Sequence, residues 1–268
     1  MASIPILAGI YANTSPDFRT AYPVNYVPVP MKTGISEGYL APADGLTLQG
    51  TGPGIDRGGI NWDGVLYRVM GTKLVRIDPV GNVHEIGDVG PGGPVTLDYS
   101  FDQLAINSGD RLYYSNGTTL AQVTDPDLGL VIDFCWIAGY FMTTDGEFLV
   151  VTELNDPTQV NPLKYASSEA DPDPIVALLR IRNEVAALNR YTIEYFSNVG
   201  GVGFPFQRIE GAQCQKGCVG ARACSIFVET VAFVGGGRNE QPGVYLGVNA
   251  NANKISTREI DQVLASYS

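Results

Sequence analysis

GINWDGVLYRVMGTKLVRIDPVGNVHEIG, residues 59 to 87, decides the fold. An apolar run ends at Met70, Gly71-Thr72 makes a turn, and Lys73 to Asp78 forms a second run. Pro79-Val80-Gly81-Asn82 turns the chain again into Val83 to Ile86. Runs this short, separated by turns this frequent, predict a small antiparallel sheet of three or four strands.

Working outward, similar material returns four times. Residues 95–123 hold VTLDY, QLAIN, RLYYS and TLAQV, with Asn116-Gly117 as a turn, and Asn-Gly between strands is a strong hairpin signal. Residues 131–153 pair GYFMTT with EFLVVT around Asp145-Gly146. Residues 175–197 read as strands turning at Asn189-Arg190, and 223–248 as CSIFVETVAFV, a Gly235-Gly236-Gly237 loop and GVYLGV. Val176 to Leu188 also fits a helix after Asp171-Pro172-Asp173-Pro174, so strand and helix both stay open there, the repeat favouring strands. Module starts near 59, 95, 131, 175 and 223 are spaced like four-stranded propeller blades. No helical crossovers of parallel-sheet type are visible, and a sandwich does not account for the spacing. The expected class is all-β, a β-propeller with about five blade-like modules across 55–248.

The ends read differently. Residues 1–54 scatter Tyr11, Phe18, Tyr22, Tyr26 and Tyr39 among Pro5, Pro16, Pro23, Pro28, Pro30 and Pro42, which oppose helix interiors and central strands. They predict an extended arm whose aromatics are docked, either on the chain's own domain or on a neighbour, rather than left in water. Gly50 to Gly54 lacks the following Lys-Ser/Thr and helix of a phosphate loop. Residues 249–268 read as a polar loop, Asn249 to Asn253, followed by an amphipathic helix capped by Ser256 or Thr257.

Charged residues are 17% of the chain, below the roughly 25% usual for soluble domains. A surface so poor in charge suits a subunit that buries much of itself against neighbours. The net charge of −11, with no Lys/Arg stripe, argues against nucleic-acid recognition. No run of about 20 apolar residues predicts membrane insertion, and no signal peptide is apparent.

Candidate chemistry is sparse. Cys214, Cys218 and Cys224 faintly suggest a metal, but no second cluster supplies ligands, so they and Cys135 read as small buried thiols. His84 is the sole histidine and sits at a strand end, where a structural role outranks that of a catalytic base. The pairs Asp125/Asp127, Asp171/Asp173 and Asp44/Asp56 are candidates for glycoside hydrolysis. Asp-Pro-Asp spacing more simply punctuates loops. Trp62, Trp136, Tyr113, Tyr114, Tyr140, Phe141, Tyr195 and Phe196 read first as packing between blades and only second as a sugar platform. The expectation is a non-enzymatic interaction module with no catalytic, cofactor or metal residues.

Collinear stretches carry a resemblance. They are Asp17-Phe18-Arg19, Asn25-Tyr26-Val27-Pro28, Gly38-Tyr39-Leu40, Leu66-Tyr67-Arg68-Val69 and Ile86-Gly87-Asp88-Val89. Asn161-Pro162, Lys164-Tyr165-Ala166-Ser167, Thr192 to Ser197, Gln215-Lys216-Gly217 and Glu259 to Tyr267 follow in the same order. In this the chain resembles the packaged-DNA stabilisation proteins, or tail accessory factors, of short-tailed bacteriophages. The resemblance implies a β-propeller subunit forming a homohexamer below the portal and adaptor rings. Such a hub extends the tail tube, helps retain packaged DNA and anchors the tail needle and tailspikes. It also implies a place in the virion tail, assembled in the bacterial cytoplasm. Family members continue well beyond the terminal helix. Two other readings stay open: a glycan-binding or glycan-degrading propeller of the virion, and a general protein-binding scaffold.

Overall fold

The structure, a computed structural model, describes residues 25–30, 38–168, 171–201, 203–248 and 250–267. Two compact units emerge, one from the N-terminal segment with Thr257–Tyr267, the other from Gly50–Ser256. The first contains the antiparallel hairpin β1 (Tyr26–Pro30) and β2 (Gly38–Pro42) together with the helix α1 (Arg258–Ala265). The second is a chain of five antiparallel sheets.

Blade one is β3 (Asp56–Trp62), β4 (Val65–Met70), β5 (Lys73–Ile77) and β6 (Val83–Asp88). Blade two is β7 (Thr96–Tyr99), β8 (Leu104–Ser108), β9 (Arg111–Ser115) and β10 (Leu120–Gln122). Blade three is β11 (Asp133–Ile137), β12 (Tyr140–Thr144), β13 (Phe148–Glu153) and β14 (Asp156–Ser167). Blade four is β15 (Ile175–Ile181), β16 (Glu184–Asn189), β17 (Ile193–Asn198) and β18 (Phe206–Arg208). Blade five comprises β19 (Gly217–Cys218), β20 (Cys224–Phe227), β21 (Thr230–Gly236), β22 (Gly243–Val248) and β23 (Asn251–Lys254). In blades one to four, consecutive strands are hydrogen-bonded neighbours; in blade five both β19 and β20 pair with β21.

Four buried apolar clusters lie between successive blades. Strands in the middle of a blade therefore serve two cores at once. In β16, Val185 and Ala187 join the cluster shared with blade three, whereas Ala186 and Leu188 join the one shared with blade five. In β8, Leu104 and Ile106 face blade one while Ala105 faces blade three. A strand packed on both sides reads as a continuous apolar run instead of an alternating one. That is the physical reason VALLRIRNEVAAL resembles a helix and yet forms two strands. Its turn lies at Arg182-Asn183, ahead of the second turn at Arg190-Tyr191, and Arg182 carries a left-handed φ of 55°.

Several boundaries differ from the sequence reading. Asn251–Lys254, expected within a polar loop, is the outer strand of blade five, paired with Tyr245 to Val248. Gly235 and Gly236 belong to β21, not to a loop, because β19 approaches there backbone to backbone. A Cβ on Gly235 would run into the Gly217 carbonyl, and one on Gly217 into the backbone at Asn189 to Tyr191. CSIFVETVAFV is broken by a turn at Val228-Glu229, both with positive φ. Blade three runs on to Ser167, past Glu153. The segment read as an extended arm holds the paired strands β1 and β2, in which Tyr26 and Tyr39 are about half exposed. Tyr11, Phe18 and Tyr22 lie outside the described residues. Thr257 is the N-cap of α1 but gives no side-chain cap bond; Glu259 and Asp261 in the first turn complement the helix dipole instead.

Arg57 ties the first two blades together. Its guanidinium donates to the carbonyls of Gly93 (2.7 Å), Gly71 (2.9 Å) and Gly90 (2.8 Å) and to Ser108 Oγ (2.7 Å). Only a planar five-donor group can satisfy four acceptors from three directions. Arg57→Ala strands these partners, and chemical denaturation is expected to show a loss of about 2–4 kcal/mol. A loss below about 1 kcal/mol, the ordinary value of a surface change, would contradict the clamp.

Candidate functional site: the axial cavity and the aromatic rim

The first strand of each of blades one to four, together with β20 of blade five, lines one open cavity of about 470 Å³. Its walls include Gly58 and Gly59 from β3, Thr96 and Asp98 from β7, Asp133 and Cys135 from β11 and Leu178 from β15. Arg222 and Cys224 complete it from blade five.

The cavity acids are clasps between neighbouring blades. Asp98 Oδ2 accepts from the Trp136 amide at 2.7 Å. Asp133 Oδ2 accepts from the Leu178 amide, and its Oδ1 from Thr96 Oγ1, each at 2.8 Å. Arg222 reaches from blade five to Thr96 Oγ1 (2.5 Å) and the Pro94 carbonyl (3.0 Å), bridging blade five to the start of blade two. Burial raises both carboxyls, Asp98 upward from the ordinary range and Asp133 to about 6. For Asp133, burial outweighs the bonds from Leu178, Thr96 and Phe134 and the charge of Arg222. The arrangement holds blades together; it offers no nucleophile paired with a base.

A second feature lies where the first-to-second strand turns of neighbouring blades come together. Phe101 is 94% exposed and packs edge-on against Trp136, 5.7 Å between ring centroids. Around them a groove of about 310 Å³ is lined by Ser100, Asp102, Gly139, Phe141, Thr152 and Asn155, among others. On the other side of Trp136, Arg180 sits 5.5 Å over the indole, in a groove that continues to Arg182 and Asn183. Arg182 in turn pairs with Glu229 at 3.5 Å. Next to it Phe227 and Val228 are 56% and 80% exposed. A β-branched residue at a φ of 44° is strained, and such strain clusters at functional surfaces. Aromatic and apolar tips of this kind, with arginine beside them, have the composition of protein-docking patches.

The sequence candidates fall into place one by one. Asp125 caps its own loop, taking the Asp127 amide, and holds the Val160 amide of blade three. Asp173 accepts from the Tyr191 and Thr192 amides, while Asp171 pairs with Arg238 at 2.6 Å. Asp56 is bidentate with Arg68. These acids are therefore committed to turns and ion pairs. His84 is exposed, 3.2 Å from Asp78, whose carboxyl is drawn down to about 2 first by Asn82. Tyr113, Tyr114, Phe141, Tyr195 and Phe196 are buried between blades, as Trp62 partly is against Tyr67 and Tyr140 against Phe206. Cys135, Cys214 and Cys218 are buried and Cys224 half-buried, all free thiols. Among the described residues no cluster of His, Cys, Asp and Glu is placed to hold a metal, and no helix is long and apolar enough to cross a membrane.

Sequence reasoning missed Asp98, Asp133, Arg222 and Phe101. The signal for the acids was present: a carboxylate inside TLDY or opening DFCWI is out of place in a buried strand unless it binds backbone. Because the folded Asp133 carboxyl titrates above its unfolded value of 3.8, the native state binds the extra proton between the two. Its contribution is thus most favourable below about pH 4 and is lost as pH rises through about 6. Asp133→Asn is expected to gain on the wild type by on the order of 2–3 kcal/mol between pH 4 and 7 in urea titrations. A pH-independent difference would contradict a buried, proton-binding Asp133.

Known proteins sort this geometry. The family described as "Bacteriophage P22 Gp10, beta-propeller" matches residues 2–268. The tail hub protein gp10 of Salmonella phage P22 is 27% identical over 98% of this chain; the chain spans 59% of that relative's length. Among solved structures, the Neurospora crassa Pan2 WD40 domain aligns with a TM-score of 0.53 at 12% identity, over 75% of this chain and 66% of that one. The extracellular domain of BT4673 from B. thetaiotaomicron also gives 0.53 at 12% identity, over 76% of this chain and 28% of that one. At such identities these two speak for the fold alone. The chain is a β-propeller protein and belongs to the P22 Gp10 phage-stabilisation family.

Proposed function

We propose that this chain is a structural subunit of a phage tail hub, acting in the virion tail after assembly in the bacterial cytoplasm. The family match across residues 2–268 carries the reading. The exposed Phe101, Phe227 and Val228 support it, since a docking subunit needs apolar tips on a rigid frame. In this reading the chain forms a homohexamer below the portal and adaptor, extends the tube, helps retain DNA and anchors needle and tailspikes. The net charge of −11 fits a tube wall from which DNA slides instead of sticking.

One observation favours a second reading. Phe101, Trp136 and Asp102 share a groove, and an aromatic pair beside a carboxylate can hold a sugar. A single acid there suits binding, not the two-carboxylate chemistry of hydrolysis.

Purified chain mixed with portal–adaptor assemblies is expected to add a sixfold ring of density by electron cryomicroscopy. Phe101→Asp with Val228→Asp should weaken that association by about thirtyfold or more, on the order of 2 kcal/mol, with the thermal midpoint kept. Retention on glycan arrays with no ring density would replace the hub reading with the second one.

A further inference from the structure

The edge of blade five contains an excursion framed by two cysteines. Cys218 faces Gly235 and Cys224 faces Phe233 across β21. Gly235 and Phe233 are two residues apart on one strand, so the two cysteines share a sheet face, roughly 6–7 Å apart by strand rise. Between them, residues 219–223 bulge outward. The two ends of the bulge are pinched onto one residue: the Val219 amide donates to the Val234 carbonyl (3.0 Å) and the Val234 amide to the Ala223 carbonyl (2.8 Å). That separation sits at the upper end of what a disulfide spans, so closure draws the two ends of the excursion together. Cys218 Sγ donates to the Gly220 carbonyl (3.2 Å) and Cys224 Sγ to the Ala221 carbonyl (3.6 Å), so both thiols lie against the backbone of the same excursion. The excursion carries Arg222, whose guanidinium crosses the axial cavity to Thr96 and Pro94.

We propose that Cys218 and Cys224 are a redox pair that closes to a disulfide on meeting a small-molecule disulfide, and that closure locks the Arg222 strap across the propeller axis. Cys224 is the half-buried member and meets the oxidant; Cys218 is fully buried beside it. The Cys224 thiolate attacks one sulfur of the small disulfide, forming a mixed disulfide and releasing one thiolate. The Cys218 sulfur then attacks Cys224 Sγ, forming the protein disulfide and releasing the second thiolate. The two protons lost by the cysteines end on the two released thiols, and the pair's two electrons reduce the small disulfide. The register on β21 sets Cys218 beside Cys224, and that position makes it the second nucleophile. Cys135 is buried in a different core, whereas Cys214 shares the core of the pair and is the competing thiol; the two serve as internal controls. The chemistry stands on the isolated chain; only its timing, when a particle leaves a reducing cytoplasm, rests on the tail-hub reading.

The full chain is incubated with glutathione disulfide, its remaining thiols are alkylated under denaturing conditions, and its peptides are mapped. The expected result is alkylation of Cys135 and Cys214 alone, with the 218 and 224 peptides joined and released by dithiothreitol. Cys218→Ser should leave a persistent glutathione adduct on Cys224, because the second step then has no nucleophile. Tryptic cleavage after Arg222 in the native protein should slow several-fold on closure. Alkylation of all four cysteines, a lasting adduct on Cys224 of the unaltered chain, or a link to Cys214 would overturn the pair. Unchanged cleavage after Arg222 would overturn the locking of the strap.

Discussion

Everything in this molecule depends on apolar surface being present on both faces of its small sheets. A lone sheet of four short strands has two such faces and cannot cover either from within. Stacking blades side by side covers them, and the four buried clusters between blades one and five are the result. The same constraint explains why Val185 to Leu188 are all fully buried in a strand. It also explains why a small residue such as Ala186 or Ala187 is tolerated at the centre, where two cores press from opposite sides.

Between the cores, polar side chains fix the angle at which blades meet. Arg57 gathers three carbonyls from two loops, Asp98 and Asp133 each take an amide from the next blade, and Asp173 holds the Tyr191–Thr192 turn. Their partners are backbone groups, which hydrophobic packing alone would leave unsatisfied. The cost is visible at Asp133, where burial raises the carboxyl to about 6. Stability is spent there on geometry, and the geometry sets the turns that form the rim. Arg222 adds a contact of another kind, reaching over the cavity from the last blade to the second.

Much of this was legible in the chain. Gly59 to Gly87 reads as a blade because its strands and turns are local, and Asn116-Gly117 marks its hairpin without tertiary help. The repeat supplied the architecture, and the ordered matches supplied the family. Where reading failed, long-range packing was the cause. VALLRIRNEVAAL hides its period because both faces are buried, and Asn251–Lys254 becomes a strand only because Tyr245 to Val248 offers an edge. Asp98 and Asp133 stood out as carboxylates inside strands, but their partners, the Trp136 and Leu178 amides, could not be named without knowing which blade lay alongside. Nothing in the chain marks Phe101 and Val228 as surface tips; only the fold puts them on the outside.

In the proposed hub, the rim built from the turns around Phe101, Ala138-Gly139, Arg182-Asn183 and Phe227–Glu229 is what the protein presents to its neighbours. Hydrogen exchange with mass spectrometry, comparing the free chain with the chain bound to portal–adaptor assemblies, tests it most directly. New protection concentrated in those four turns is the predicted result. Protection confined to the turns at Gly109-Asp110, Asp145-Gly146 and Arg190-Tyr191, at the other ends of the same strands, would contradict it.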